Sequence, residues 1–366
     1  MNPAEPAAPG PVAPPRFTLA LLGATGVGKS TLLNTIFGAD LAATGIGEPV
    51  TRGSHLYRRP GHHMAVLDTE GLEYGRDAGQ LASDLADAIR SAGPVHVIWY
   101  CVRATDRRFT DVEADLVRQL ADLGPPVLLV LTRSPDPAHG AVVELARHID
   151  SLALPVWDER CFEVNAQPDR FAGTDQHGLL TLLEATNAAA PAGVRLALAA
   201  AQRLDAGLKR ESADACVDRA SKDLSGRALP RALRTRWTQM FADVALVYGL
   251  PKDLAVSAAE ATRELALLRA WLWTGQLGSW GVPSVALGRM AVGKRRSGRA
   301  DGMGSGLSAG IVTRIVGATW VDVCEEAYLA AYPEPPTLQR AVFTAEVSHR
   351  LSEQLPAHLR LFRRRT

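Results

Sequence analysis

Residues Gly23-Ala-Thr-Gly-Val-Gly-Lys-Ser30 follow the pattern G-x-x-x-x-G-K-S/T. Glycines at 23, 26 and 28 let backbone N–H groups turn inward around anionic oxygens. A helix opening near Gly28 adds the partial positive charge of its N-terminus. At this spacing Lys29 reaches the β- and γ-phosphates of a nucleoside triphosphate and the Ser30 hydroxyl sits on Mg²⁺, with Val27 and Thr31 completing the phosphate-binding set. The chain holds only five lysines against 35 arginines. A lysine at the one position where the motif demands it argues against chance.

Two further segments carry compatible chemistry. Asp68-Thr-Glu-Gly71 ends an apolar stretch, Met64-Ala-Val-Leu67. A carboxylate there holds Mg²⁺ through water, and the Gly71 N–H approaches the γ-phosphate. Between the two lies Gly47-Glu-Pro-Val-Thr51. A loop threonine at 51 places its hydroxyl on Mg²⁺ and its N–H on the γ-phosphate, giving a segment ordered only by the triphosphate. Lys29, Thr51 and Gly71 are therefore the candidate catalytic groups, and Ser30, Thr51 and Asp68 the candidate metal ligands.

These residues need elements to hold them. Phe17-Thr-Leu-Ala-Leu-Leu22 runs into the glycine-rich loop as a strand, and Thr31-Leu-Leu-Asn-Thr-Ile-Phe37 runs out of it at helical spacing to a Gly38 stop. Further strands are expected at 54–59, 63–67, 95–102, 127–131 and 161–164, following the first at 16–22. Helices are expected at 29–37, 80–91, 111–122, 137–149 and 178–189. Strands alternating with helices indicate an α/β fold with a mainly parallel sheet. The pattern changes near Ala190-Pro191, after which no strand is evident. Leu233, Trp237, Met240, Phe241, Val244 and Val247 recur at helical spacing, with Pro230 where a helix starts and Gly249 where it stops. Further helices are expected at 251–273, 307–331 and 338–361, with a flexible basic connection at 292–306. The expected organisation is a Pro/Ala-rich disordered leader at 1–15, a nucleotide-binding domain at 16–190 and an all-helical domain at 191–366.

Composition sets outer limits. A formal charge of +1 gives no global signal for nucleic acid or an acidic partner. The four cysteines are scattered without C-x-x-C and read as thiols in a reducing compartment. The first fifteen residues lack the basic start and apolar run of a signal peptide, and no apolar run is long enough for a membrane span.

With Gly28-Lys-Ser-Thr-Leu-Leu-Asn-Thr-Ile-Phe-Gly38, then Gly47-Glu-Pro-Val-Thr51, then Leu67-Asp-Thr-Glu-Gly71, the chain resembles the Era-like branch of the bacterial translation-factor-type P-loop GTPases. The stretch Ala309–Glu325 resembles the end of a helical domain of unknown function that follows such GTPases in some bacteria. The resemblance implies binding of GTP and GDP with Mg²⁺. It implies a base-reading element, N/T-K-x-D in the family, at Thr132-Arg133-Ser134-Pro135-Asp136. Arg133 would lay its stem over the purine, and Asp136, displaced by one residue, would pair with guanine. The last family element, usually S-A-K, would be Asn165-Ala166-Gln167, where the Ala166 N–H would meet the guanine O6. Leu72 stands where Ras-type enzymes carry the glutamine that orients the attacking water. Slow turnover, assisted by a nucleotide-dependent homodimer or a partner, is implied. Glu70 and Glu73 read as solvated acids rather than a replacement base.

Other features carry less. Trp271, Trp273 and Trp280 lie in an uncharged stretch broken by glycines, which reads as a soluble helical hairpin rather than a membrane contact. The basic runs at 294–299 and 363–365 are weak signals for RNA or anionic lipid, and His62-His63 lacks the partners of a metal site. The chain therefore reads as a cytoplasmic Mg²⁺-dependent GTP switch whose segments 38–51 and 71–79 respond to nucleotide. Its helical domain would report that state to an unknown protein partner or, peripherally, to a membrane. An NTPase of relaxed base preference and a non-hydrolysing nucleotide-dependent scaffold remain alternatives.

Overall fold

A computed structural model describes residues 16–38, 46–51, 54–58, 63–69, 78–106, 108–136, 139–168, 173–224, 230–250 and 303–331. They divide into two compact units, the boundary falling between Asp205 and Ala206.

The first unit is built on a seven-stranded sheet: β1 (Phe17–Gly23), β2 (Ile46–Thr51), β3 (Ser54–Arg58), β4 (Met64–Thr69), β5 (Val97–Arg103), β6 (Val127–Thr132) and β7 (Cys161–Glu163). The order across the sheet is β2-β3-β4-β1-β5-β6-β7. From β4 to β7 all neighbours are parallel, whereas β2–β3 and β3–β4 are antiparallel. Strands β1 and β6 are buried at every position, which is why they read as unbroken apolar runs. The helices are α1 (Lys29–Phe37), α2 (Ala78–Ser91), α3 (Asp111–Ala121), α4 (Gly140–Ser151), α5 (Leu179–Ala189) and α6 (Ala192–Ala201). Trp99 of β5, fully buried, donates its indole N–H to Thr186 Oγ1 of α5 at 3.0 Å and packs on Phe37 of α1.

This topology locates the site. From β1 the chain passes through β2, β3 and β4 on one side and later to β5 on the other. Open α/β sheets bind ligands outside the carboxyl ends of strands at such a reversal. The loop at 23–30 lies there.

Two elements of the first unit depart from the sequence pattern. The segment read as a loop carrying Thr51 is strand β2, antiparallel to β3 with an irregular register between Pro49 and Thr51. Among the described residues it pairs on one side only, the place where a sheet tolerates proline. Helix α6 follows the pattern change at Ala190-Pro191 but packs against β1 and β4. Beyond it the Arg203 N–H donates to Ile36 O of α1 at 2.9 Å. The first unit thus continues well past residue 190.

The second unit contains α7 (Ala206–Asp223), α8 (Pro230–Val247) and α9 (Met303–Ala331). Helix α9 begins inside the stretch read as a flexible connection. Trp237 of α8 donates its indole N–H to Thr313 Oγ1 at 2.9 Å, and Trp320 of α9 donates to Phe241 O at 3.1 Å. A Cβ on Gly317 would stand 2.5 Å from Val217 Cγ1, so α9 crosses α7 closely there. The helices expected at 251–273 and 338–361 lie outside the described residues, as do the leader and the tryptophan-rich stretch. Among the described residues no helix is long and apolar enough to cross a membrane.

Candidate functional site

The loop between β1 and α1 is shaped by three glycines with positive φ: Gly23 at 135°, Gly26 at 77° and Gly28 at 111°. A Cβ on Gly23 would stand 2.2 Å from Cys101 O, so the loop leaves β1 in close contact with β5. Gly28 is the residue before α1, and no side chain caps that helix. Its first N–H groups are thus left for solvent or a ligand.

Side chains hold the loop by its carbonyls. Lys29 is buried, and its Nζ donates to Gly23 O at 2.9 Å and Ala24 O at 3.1 Å. Arg103, at the end of β5, donates to Gly26 O at 2.7 Å. Thr132 Oγ1, at the end of β6, lies 2.6 Å from Val27 O and 3.1 Å from Val102 O. In each trans peptide the C=O and the following N–H point to opposite sides. The Gly26 and Val27 carbonyls, held by Arg103 and Thr132, therefore leave the N–H groups of Val27 and Gly28 directed the other way, as in an anion nest.

Asp68 lies near the end of β4, in register with Leu21 of β1, and is half-buried. Its charge and that of Lys29 both act on Cys101. Burial pushes the Cys101 thiol up to about 12, with Lys29 opposing and Asp68 adding to the rise. The structure thus brings a lysine and a carboxylate to the same strand ends. Ser30 is exposed in the first turn of α1. Ser30 and Asp68 are the hard oxygen donors that suit Mg²⁺, which takes one or two carboxylates plus substrate phosphates rather than a protein cage. Among the described residues no group of three or more His, Cys, Asp or Glu could hold a metal ion by itself. For Thr51 only the backbone is described, and Glu70, Gly71, Leu72 and Glu73 lie outside the described residues.

A cavity of about 700 Å³ opens beside the loop. Gly28, Thr31 and Leu32 line one side. Thr132, Arg133, Ser134 and Pro135 form a second wall, and Val164 to Pro168 with Thr105 and Thr174 a third. Arg133 has a positive φ of 52°, rare for a residue with a side chain. Its stem lies over Gly28, where a Cβ would stand 3.6 Å from Arg133 Cγ. The third wall is braced from behind. Asn165 exchanges main-chain hydrogen bonds with His177 and donates its amide N–H to Asp175 O at 2.8 Å. Gln176 Nε2 donates to Ala166 O at 2.9 Å. Since the Asn165 carbonyl accepts from His177, the Ala166 N–H points to the opposite side.

Asp136 does not join this set. It is exposed, and Pro135 rather than Asp136 lines the cavity. Its charge instead acts on Glu163: burial raises the Glu163 carboxyl, His177 lowers it, and Asp136 raises it further. The displacement by one residue puts the proline on the cavity wall. Arg103, Thr105 and Thr174 are site residues the motif reading passed over. A strand ended at 102 leaves Arg103 in a loop. Its place at the carboxyl end of a parallel strand was the available signal.

Residues 18–133 match the family model described as 50S ribosome-binding GTPase. The chain is 33% identical over 129 residues to the GTPase Era of Geotalea uraniireducens, covering 34% of this chain and 42% of that protein. It is 34% identical over 124 residues to the GTPase Der of Rhizobium johnstonii, covering 32% of this chain and 25% of that protein. The chain thus spans less than half the length of these curated relatives. A solved structure of Era in complex with MgGDPNP and a segment of 16S ribosomal RNA overlays with a TM-score of 0.33 at 21% identity, covering 55% of this chain and 68% of that one.

Proposed function

We propose that this chain, whose residues 18–133 match the model of a 50S ribosome-binding GTPase, is an Era-like P-loop GTPase that binds GTP and GDP, hydrolyses GTP slowly and uses the bound state as a switch. The observation that carries the reading is the loop at 23–30: Arg103 and Thr132 hold the Gly26 and Val27 carbonyls, the N–H groups that follow point the other way, and the Lys29 ammonium is fixed on the loop by two further carbonyls. Lys29 offers its charge to the β- and γ-phosphates. Ser30 and Asp68 would hold Mg²⁺ with the phosphates, and Thr51 and Gly71 would respond to the γ-phosphate. Bound Mg²⁺ neutralises charge that builds on the phosphoryl oxygens. The Arg133 stem covers one face of the base, and the Ala166 N–H serves the guanine O6.

Leu72 has no atom with which to orient water, so turnover by the isolated protein should not exceed the range of about 10⁻⁴ to 10⁻² s⁻¹ seen for intrinsic hydrolysis in related switches. The helical unit is the surface that would report nucleotide state to a protein partner. The four cysteines are free thiols, which supports a reducing compartment such as the cytoplasm.

A second reading, a purine NTPase of relaxed base preference, is favoured by one observation: Pro135, not Asp136, lines the cavity. A carboxylate that accepts from both guanine donors can discriminate by several orders of magnitude, and a pocket of shape alone far less. Titration with GTP, GDP and ATP, followed by single-turnover hydrolysis, tests both. Tight GTP binding with weak ATP binding supports the guanine switch. Equal affinities replace it with the relaxed NTPase. Fast hydrolysis independent of protein concentration contradicts the role given to Leu72.

A further inference from the structure

We propose that Arg103 is a positioning residue for the nucleotide phosphates, aiming the Val27 N–H by holding the Gly26 carbonyl. The inference rests on the phosphate-loop reading above. Among the loop carbonyls, those of Gly23 and Ala24 are held by Lys29 and that of Val27 by Thr132. Those contacts direct the N–H groups of Ala24, Thr25 and Gly28. They leave over two peptides, Thr25–Gly26 and Gly26–Val27, and the second is the one a side chain from a strand end reaches. Gly26 follows φ 77° and has no Cβ to resist rotation. This peptide therefore turns over at little cost unless something grips it, and Arg103 does so at 2.7 Å.

The geometry of the arginine points the same way. Its Nη1 stands 3.8 Å from Asp106 Oδ1, at the outer limit of an ion pair. Its Nε is buried without a hydrogen-bond partner among the described residues. A side chain placed only to satisfy its own donors would not sit so. The guanidinium is set by the Gly26 carbonyl, at the expense of Nε. Its strand position puts it beside Thr132, its register partner on β6. Neighbouring strand ends thus hold the consecutive carbonyls of Gly26 and Val27.

The test uses the full chain and probes that separate the loop from the base cavity. Affinities for inorganic pyrophosphate, GDP and GTP are measured for wild type, Arg103→Met, which keeps the apolar stem, and Arg103→Lys, which keeps one charged donor. Arg103→Met should weaken all three ligands by about tenfold, the worth of one charge-assisted hydrogen bond. GDP dissociation should accelerate, and the melting midpoint of the nucleotide-free protein should stay within about 2 °C. Arg103→Lys should recover part of the loss. Undiminished binding of pyrophosphate and GDP by Arg103→Met overturns this inference alone. Weaker binding matched by a large drop in melting midpoint, without rescue by lysine, also overturns it, because that is the signature of a structural arginine. Wild-type protein that binds none of the three probes overturns the phosphate-loop reading, and this inference with it.

Discussion

On the proposed reading the cavity has a phosphate end and a base end; at the first, side chains from α1, β5 and β6 converge on the main-chain carbonyls of one short loop. At the base end the contacts tie separate loops to each other, as where Asn165, His177 and Ser134 brace segments distant in sequence. The first arrangement depends on spacing within the loop and on the ends of two strands. The second depends on where several connections happen to meet. A one-residue displacement is therefore harmless in few places at the base end: with Pro135 on the cavity wall, the Asp136 charge acts on Glu163 instead. On the proposed reading the phosphate end would offer every nucleotide the same grip, and selectivity among bases would fall to the less tightly prescribed end.

The comparison breaks most visibly at Lys29. Lys29→Ala should lower affinity for GTP and GDP by at least about 100-fold, since two charge-assisted hydrogen bonds to phosphate are lost. Calorimetric titration reads this, and circular dichroism should show a folded protein, because the Lys29 ammonium bonds only to loop carbonyls. Wild-type affinity would mean that nucleotide is not held at this end at all.

Within the phosphate end, two glycines of one loop should differ in what they tolerate. Gly23→Ala forces a Cβ to 2.2 Å from Cys101 O at φ 135°, at a cost on the order of 3 kcal/mol. Gly26→Ala has φ 77° but its nearest neighbour is Arg103 Nη2 at 3.8 Å, so only the left-handed backbone is penalised, about 1 kcal/mol. Denaturant midpoints of the two variants should separate accordingly. Equal losses would show that the approach of the loop to β5 is not tight.

The smallest effect is expected at the base end. Asp136→Asn should change the ratio of GTP to ATP affinity by less than about threefold, because the carboxylate stands outside the cavity, where a contact to guanine worth orders of magnitude is not made. Competition binding measures it. A fall of a hundredfold or more would bring Asp136 onto the base and restore the displaced acid as the guanine reader.

What could be read from the chain alone follows the range of the interactions concerned. The glycine-rich loop, its strand and its helix are local: Phe17 to Phe37 carries the pattern, and the elements lie where spacing places them. The α/β alternation was legible for the same reason, since burial on both faces leaves apolar runs such as Val127–Thr132. The edge strand Ile46–Thr51 was not, because a proline in a short polar segment carries no strand signal until a neighbour pairs with it. Nor was the attachment of Ala192–Ala201 to the first unit, which rests on packing against β1 and β4. The part played by Arg103 needed the parallel register that sets the end of β5 beside the loop. The exclusion of Asp136 needed the turn that puts Pro135 on the wall. Chemistry written in consecutive residues is specified by covalent spacing, whereas the direction a loop side chain faces is decided by what packs behind it.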